Sequence, residues 1–307
     1  MATAALTGAT GFLGRRLLRT LTARGWRVRA LARRPADAEA LAGEGFEVVI
    51  GDLADTAALE RLTDGASLTI HCAGLIKARD RAAFFEVNRD GAARLAEVAP
   101  ERLVLVSSLA ARAPELSDYA ASKRAGEEVS RQAAGARLAV VRPPVIYGPG
   151  DRETLQLFRL AQRSPLAPIP ASPGARLALA HADDVAAAII DVAERAELSG
   201  VYAVGGDRPA GYAWTEIATA AWRAVGRTPR LAPVPAWALS AAGVVSELTA
   251  PLRRAPPIFT RGKAREIRHA DWSVAPEEAP PGGPAARFTL DAGFADAVAW
   301  YRQAGWL

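Results

Sequence analysis

A single cysteine, Cys72, stands among 307 residues, which excludes an internal disulfide and makes a cytosolic compartment the default. No apolar run approaches the roughly 20 residues of a membrane span. The chain enters a strand within a few residues of Met1, which leaves no room for a signal peptide. A Lys/Arg-rich run is also missing: the net charge of +5 comes from scattered residues, so nucleic acid is not an expected partner. Lysine itself is scarce. Of 38 basic residues only Lys77, Lys123 and Lys263 are lysines, the other 35 being arginine, so each lysine raises the question of whether a primary amine is required. There is no repeat, no low-complexity tail, and no residue set that suggests a metal.

Half of the residues are apolar, enough to bury a full core in one large domain or two unequal ones. The chain opens on an apolar run, Ala2 to Leu6, that reads as a strand. It continues into Thr7-Gly8-Ala9-Thr10-Gly11-Phe12-Leu13-Gly14 and then a helix, Phe12 to Ala23, with Leu13, Leu17, Leu18 and Leu21 at helical spacing. Without its flanks the loop reads as an ordinary tight turn. Between a strand and a helix, three glycines at i, i+3 and i+6 allow a sharp turn and close approach of the backbone to a pyrophosphate. The helix N-terminus offers unpaired N–H groups to the anion.

Further strands are expected at Trp26–Ala32, Phe46–Ile50, Leu68–Cys72, Leu103–Val106 and Leu138–Val141. The second ends at Arg33-Arg34-Pro35. A ribose 2′-hydroxyl is usually held by an acid near this point and a 2′-phosphate by arginine. The missing acid and the two arginines therefore favour NADP(H), with NAD(H) as the alternative. Eleven residues after Ser107-Ser108 comes Tyr119-Ala120-Ala121-Ser122-Lys123, which places Tyr119 and Lys123 on one face of a helix, a turn apart. An ammonium beside a phenol favours the phenolate and makes it a usable base. The bland account of the pair is an exposed aromatic with a solvated lysine.

The glycine loop, Gly51-Asp52-Leu53, His71-Cys72-Ala73-Gly74, Val87-Asn88-Arg89-Asp90-Gly91, the Tyr119/Lys123 pair and Arg142-Pro143-Pro144-Val145-Ile146-Tyr147-Gly148-Pro149-Gly150 together resemble the extended short-chain dehydrogenase/reductase superfamily, of NAD(P)-dependent epimerase/dehydratase type. The resemblance implies an α/β fold, a Rossmann-type doubly wound parallel sheet with a smaller C-terminal substrate lobe. Residues 1–165 are expected to bind the dinucleotide and 166–307 mainly the substrate, with elements near 178–205 returning to the first domain. It implies Tyr119 as general acid/base, Lys123 as its tuner and a ribose ligand, and Ser108 as the hydroxyl that orients the substrate, with Ser107 as the alternative. It also implies a cofactor lined by Gly8, Thr10, Gly11, Phe12, Leu13, Gly14, Arg33, Arg34, Asp52, Leu53, Ala73, Gly74, Pro143 and Val145. Asp52 reads equally well as a cap of the turn into a helix at Thr56–Leu62. His71 and Cys72 read as packed core residues, and Asn88 as a buried structural side chain.

In the C-terminal part, Pro165, Pro168, Pro170 and Pro173 mark a loop-rich entry to the substrate lobe. His181-Ala182-Asp183-Asp184 opens an apolar helix to Ala193, with Asp184 as a cap. Val201–Val204 reads as a strand, Tyr212–Ala224 and Thr289–Trp306 as helices, and Ala275–Ala286 as loop. Ala232–Leu252 is the most apolar stretch, either a lobe helix with two apolar faces or a lid over a lipophilic substrate. The implied activity is hydride transfer between nicotinamide and a secondary alcohol or ketone, or epimerisation, on a small, possibly lipophilic molecule. A homodimer is compatible with it, and the contrasting reading is a non-catalytic dinucleotide sensor or assembly protein.

Overall fold

The computed structural model describes residues 2–253 and 259–307. Seven parallel strands form the main sheet. The first six are β1 (Thr3–Thr7), β2 (Arg27–Ala32), β3 (Glu47–Ile50), β4 (Leu68–His71), β5 (Arg102–Val106) and β6 (Leu138–Arg142), joined by a seventh strand, Gly200–Ala203. Across the sheet the order is Gly200–Ala203, β6, β5, β4, β1, β2, β3. The winding reverses between β1 and β4, and this gap between the loops at their carboxyl ends is where such sheets bind ligands.

Crossovers between parallel strands need helices, and the sequence supplies them: α1 (Phe12–Ala23), α2 (Pro35–Gly43), α3 (Thr56–Thr63), α4 (Arg81–Phe85), α5 (Gly91–Val98) and α6 (Asp118–Ala134). A π-helical turn, Glu86–Asp90, joins α4 to α5. Side chains alternate across a strand. Ala5 and Leu31 therefore meet Leu59 and Leu62 of α3 and Leu95 of α5 on one face, where Leu103, Leu105 and Val140 also meet Ala92, Ala96 and Ala134. α1 packs on β1 and β2 with Leu17, Leu18 and Leu21 at most 1% exposed. Burying three leucines contributes on the order of 5 kcal/mol.

The chain divides into two compact units. The first holds residues 1–142, 186–203 and 280–284; the second holds 143–185, 204–279 and 285–307. The passage out of the first unit thus falls at Arg142/Pro143, where the sequence suggested 165, and the returning segment is 186–203.

The second unit contains three parallel strand pairs: Val145–Tyr147 with Leu179–His181, Leu166–Pro170 with Arg230–Val234, and Arg176–Leu177 with Asp271–Trp272. Its helices are Leu155–Arg163, Trp214–Ala224, Ala236–Arg253, Arg261–Arg268 and Leu290–Gln303. An aromatic cluster fills its centre: Phe294 meets the Tyr147 and Phe158 rings edge-on at 4.9 and 5.1 Å, and the Tyr301 hydroxyl donates to the Asp151 carbonyl at 2.6 Å. The stretch read as loop from its prolines contains the strand Leu166–Pro170. A two-stranded sheet leaves one side of each strand unpaired, so Pro168 and Pro170 sacrifice no ladder bond that the pair needs.

Candidate active site

The glycine loop has the shape that its spacing suggested. Gly8 adopts φ +74°, and a Cβ there would lie 2.6 Å from the Ala73 nitrogen, so the turns after β1 and β4 touch backbone to backbone. A Cβ on Gly14 would lie 1.9 Å from the Gly8 carbonyl oxygen. The Gly11 N–H closes the turn on that same oxygen at 2.9 Å. Gly11 is the N-cap of α1 and offers no side chain, and the first helical turn holds no acid. The helix therefore presents its first N–H groups and its positive end without internal competition, the condition for holding a diphosphate. Thr10 and Gly11 are exposed at the tip; Phe12 is half-buried beneath the Arg16 guanidinium, and Leu13 is buried with only its backbone available.

At the end of β4, the Thr7 Oγ1 sits 2.7 Å from His71 Nδ1 and accepts from the Ala73 N–H at 3.2 Å. The direction of the Thr7–His71 bond follows the tautomer of the ring. Burial, with Lys123 as a second cause, pushes the His71 pKa down to about 3, so the ring is neutral. Burial likewise pushes the Cys72 thiol up to about 12, which keeps it protonated. A Cβ on Gly74 would lie 3.0 Å from Asn88 Oδ1 and 3.6 Å from Lys123 Nζ, so the bare backbone leaves room for both. Asn88 sits in the π-helical turn. Its Oδ1 accepts from Leu75 N at 2.8 Å, while its Nδ2 donates to Leu75 O at 3.0 Å and to Ser122 Oγ at 2.9 Å. Two bonds to Leu75 and one to Ser122 tie the loop beside Gly74 to α6.

Ser117 caps α6 by accepting from Ala120 N at 3.0 Å. Tyr119 and Lys123 follow one turn apart. Tyr119 is half-buried, its ring 6.1 Å from Phe84. Lys123 is buried, donates to the Val106 carbonyl at 2.8 Å, and has its pKa lowered by burial to about 8, with Cys72 and Glu127 opposing the shift. The two serines after β5 part company. Ser107 Oγ donates to Glu127, a carboxylate 1% exposed that also takes the Arg142 guanidinium at 2.8 and 2.5 Å. Ser108 is half-buried, and among the described residues its Oγ accepts from the nearby Ala110 N–H at 3.2 Å, a bond that does not use its proton.

On the other side of the switch point, Arg33 and Arg34 are exposed after β2. Arg34 is engaged by Asp37 through two contacts of 2.7 and 2.8 Å. Asp52 is exposed and accepts from Ala54 N at 2.8 Å, while the cap of α3 is Asp55, which accepts from Ala58 N at 2.9 Å. Leu53 turns its side chain to Gly91, where a Cβ would meet it at 2.8 Å.

Pro143 and Val145 belong to the second unit, with Val145 in the strand beside Leu179–His181. There Asp184, in the first turn of the helix Ala182–Glu194, accepts through its carboxylate from the backbone of Arg287 and Phe288 at 3.1 and 3.2 Å. His181 stacks on Phe288 at 3.9 Å and approaches Asp296 at 3.3 Å; burial lowers its pKa. Glu127 and its pairing with Arg142 went unnoticed in the sequence. The available signal was an acid one turn beyond Lys123, on the face of α6 that already carries Tyr119.

The model of the "NAD dependent epimerase/dehydratase family" matches residues 4–205. The chain belongs to this family. It is an NAD(P)-dependent oxidoreductase or epimerase/dehydratase that uses a nicotinamide dinucleotide. Ceramide reductase of Caulobacter vibrioides is 48% identical over 307 residues, covering 99% of this chain and 95% of the relative. Sterol demethylase protein B of Methylococcus capsulatus is 33% identical over 173 residues, 48% of this chain and 53% of its own. Among solved structures, the UDP-glucose 4-epimerase of Thermus thermophilus in complex with NAD superposes with a TM-score of 0.72 at 23% identity, over 99% of this chain and 100% of its own, a likeness of fold. Among the described residues no helix is long and apolar enough to cross a membrane.

Proposed function

We propose that the protein reduces the ketone of a long-chain, ceramide-class lipid to a secondary alcohol, with NADPH as the preferred hydride source. The observation that carries this reading is the identity of 48% to a ceramide reductase along nearly the full length of both chains, since likeness confined to the dinucleotide-binding half would leave the substrate open. The glycine loop fits a diphosphate by its geometry, with Gly8, Gly11 and Gly14 as the cradle and the backbone N–H groups of α1 as donors. Bound there, the cofactor supplies hydride to the carbonyl carbon.

The chain's own groups handle the proton. Tyr119 Oη donates to the ketone oxygen as negative charge builds on it, and Ser108 Oγ, its proton not used by Ala110, orients that oxygen by a second hydrogen bond. The Lys123 ammonium favours the phenolate that Tyr119 becomes, and water restores the phenol. Ser107 has no such role in this scheme because its hydroxyl already donates to Glu127. The NADPH preference is supported by the exposed Arg33 after β2 and by the engagement of the nearby acid Asp37 with Arg34.

The test is NADPH consumption by the purified protein with a ketone-bearing ceramide analogue, the lipid product being read by mass spectrometry, and, separately, conversion of UDP-glucose read by chromatographic separation of the sugar nucleotides, because epimerisation consumes no net cofactor and leaves the mass unchanged. The expected result is a reduced lipid, with turnover down roughly a thousandfold in Tyr119→Phe and about a hundredfold in Ser108→Ala, both variants binding NADPH as the native protein does. Conversion of UDP-glucose with no reduction of the lipid would overturn the reading.

A further inference from the structure

The helix Ala236–Arg253 has its polarity reversed. Trp237 is 74% exposed, Val245 59% and Leu248 73%, and with the exposed Ala241 and Val244 they recur at i, i+4, i+7, i+8 and i+11, one face of the helix. Its polar groups point the other way. Ser246 Oγ accepts from Phe259 N at 3.1 Å, and Glu247 accepts from the Arg261 backbone N–H and from its guanidinium, both at 2.8 Å. Gly243 is buried between them, where a Cβ would lie 2.9 Å from Arg261 N. These contacts pin the helix to the start of its neighbour, Arg261–Arg268, so the stripe cannot roll inward without breaking them.

Charge gathers in the same segment. Residues 227–268 contain eight arginines and lysines against two glutamates, a net of +6 in a chain whose total is +5, so everything outside it sums to −1. The basic residues that form no run along the sequence are thus concentrated by segment. On the helix Arg261–Arg268 the side chains of Arg261, Lys263, Arg265 and Arg268 are exposed, whereas its one acid, Glu266, is buried against Lys263.

We propose that this helix pair is a docking surface for an anionic lipid bilayer, with the Trp237–Leu248 stripe seated at headgroup depth and the net positive charge of the segment drawing it to anionic headgroups. Charge selects this occupant over a second copy of the chain, because a two-fold contact through the stripe would bring two segments of +6 together. The proposal does not depend on the lipid-reductase reading, and its test involves no turnover.

The test is co-sedimentation of the full chain with vesicles of phosphatidylcholine alone and of phosphatidylcholine mixed with phosphatidylglycerol. The native protein is expected on the mixed vesicles, with binding that falls steeply as salt rises. Trp237→Ser/Leu248→Ser should bind roughly tenfold more weakly at an unchanged melting temperature and NADPH affinity. Arg265→Glu/Arg268→Glu should lose the preference for the anionic vesicles. Native protein that ignores both vesicles, serine variants that bind like the native chain, or a native dimer that the serine variant splits to monomers without any vesicle binding would each overturn the proposal.

Discussion

Glu127 grips both arms of the Arg142 guanidinium at 2.8 and 2.5 Å from a position 1% exposed, and the same carboxylate accepts from Ser107. This clamp joins α6, which carries Tyr119 and Lys123, to the ends of β5 and β6. Removing one partner leaves a buried charge alone. Glu127→Leu is expected to destabilise by about 3–5 kcal/mol, read as a fall in melting temperature. Glu127→Leu/Arg142→Met should recover most of the loss. A double variant as unstable as the single one would refute this account.

The glycine loop tolerates no Cβ at two positions. Gly14→Ala places a methyl 1.9 Å from the Gly8 carbonyl, and Gly8→Ala combines φ +74° with a clash against Ala73. Each variant is expected to weaken NADPH binding on the order of a hundredfold or more, measured by fluorescence titration. Gly43, where a Cβ meets nothing within 4 Å, is the control: Gly43→Ala should bind normally.

Cofactor choice is expected to lie with Arg33 more than with Arg34. Arg34 already has Asp37, although an exposed pair of this kind is worth only about 0–1 kcal/mol and can exchange its partner for a phosphate. Arg33→Ala should raise the NADPH dissociation constant roughly tenfold and leave NADH nearly untouched, with Arg34→Ala showing the smaller effect. Equal losses for both cofactors would locate the 2′-phosphate elsewhere.

His71 links stability to pH. Its folded pKa of about 3 lies below the ordinary 6.5 because the buried ring resists charge, so the unfolded chain binds the proton first. The contribution is complete above pH 6.5 and is lost as pH falls toward 3. Its loss steepens from about 0.7 kcal/mol per pH unit at pH 6.5 to about 1.3 kcal/mol per pH unit near pH 5, before carboxylates titrate. His181, also held neutral by burial, adds a slope of the same sign. Denaturant unfolding of His71→Gln against the native protein isolates the His71 share; identical slopes would show that His71 stays neutral for no energetic reason.

Much of the first unit was legible because its determinants are local. The helix Phe12–Ala23 was expected at its observed bounds, and the six strands to within a residue or two, since an apolar run between turn residues has few other uses. α2 escaped notice: it turns only Ala38 and Leu41 inward, too few to show a period. One apparent equivalence in the sequence was separated only by a neighbour distant along the chain. Ser107 and Ser108 differ because Glu127 lies 20 residues away and reaches only one of them. The apolar stretch after Ala232 showed its composition but not its direction. Which face turns outward was decided by Ser246 finding a partner in Phe259 and Glu247 one in Arg261, at the start of the next helix.

The sequence by itself determined the order of strands and helices, the glycine turn and the helical pairing of Tyr119 with Lys123, because each follows from φ/ψ preference and periodicity over a few residues. Tertiary structure alone decided which serine donates to a buried carboxylate, that His71 stays neutral and which helix face meets solvent. Those properties depend on burial and on partners brought in from remote parts of the chain, and neither exists until the sheet has closed its layers.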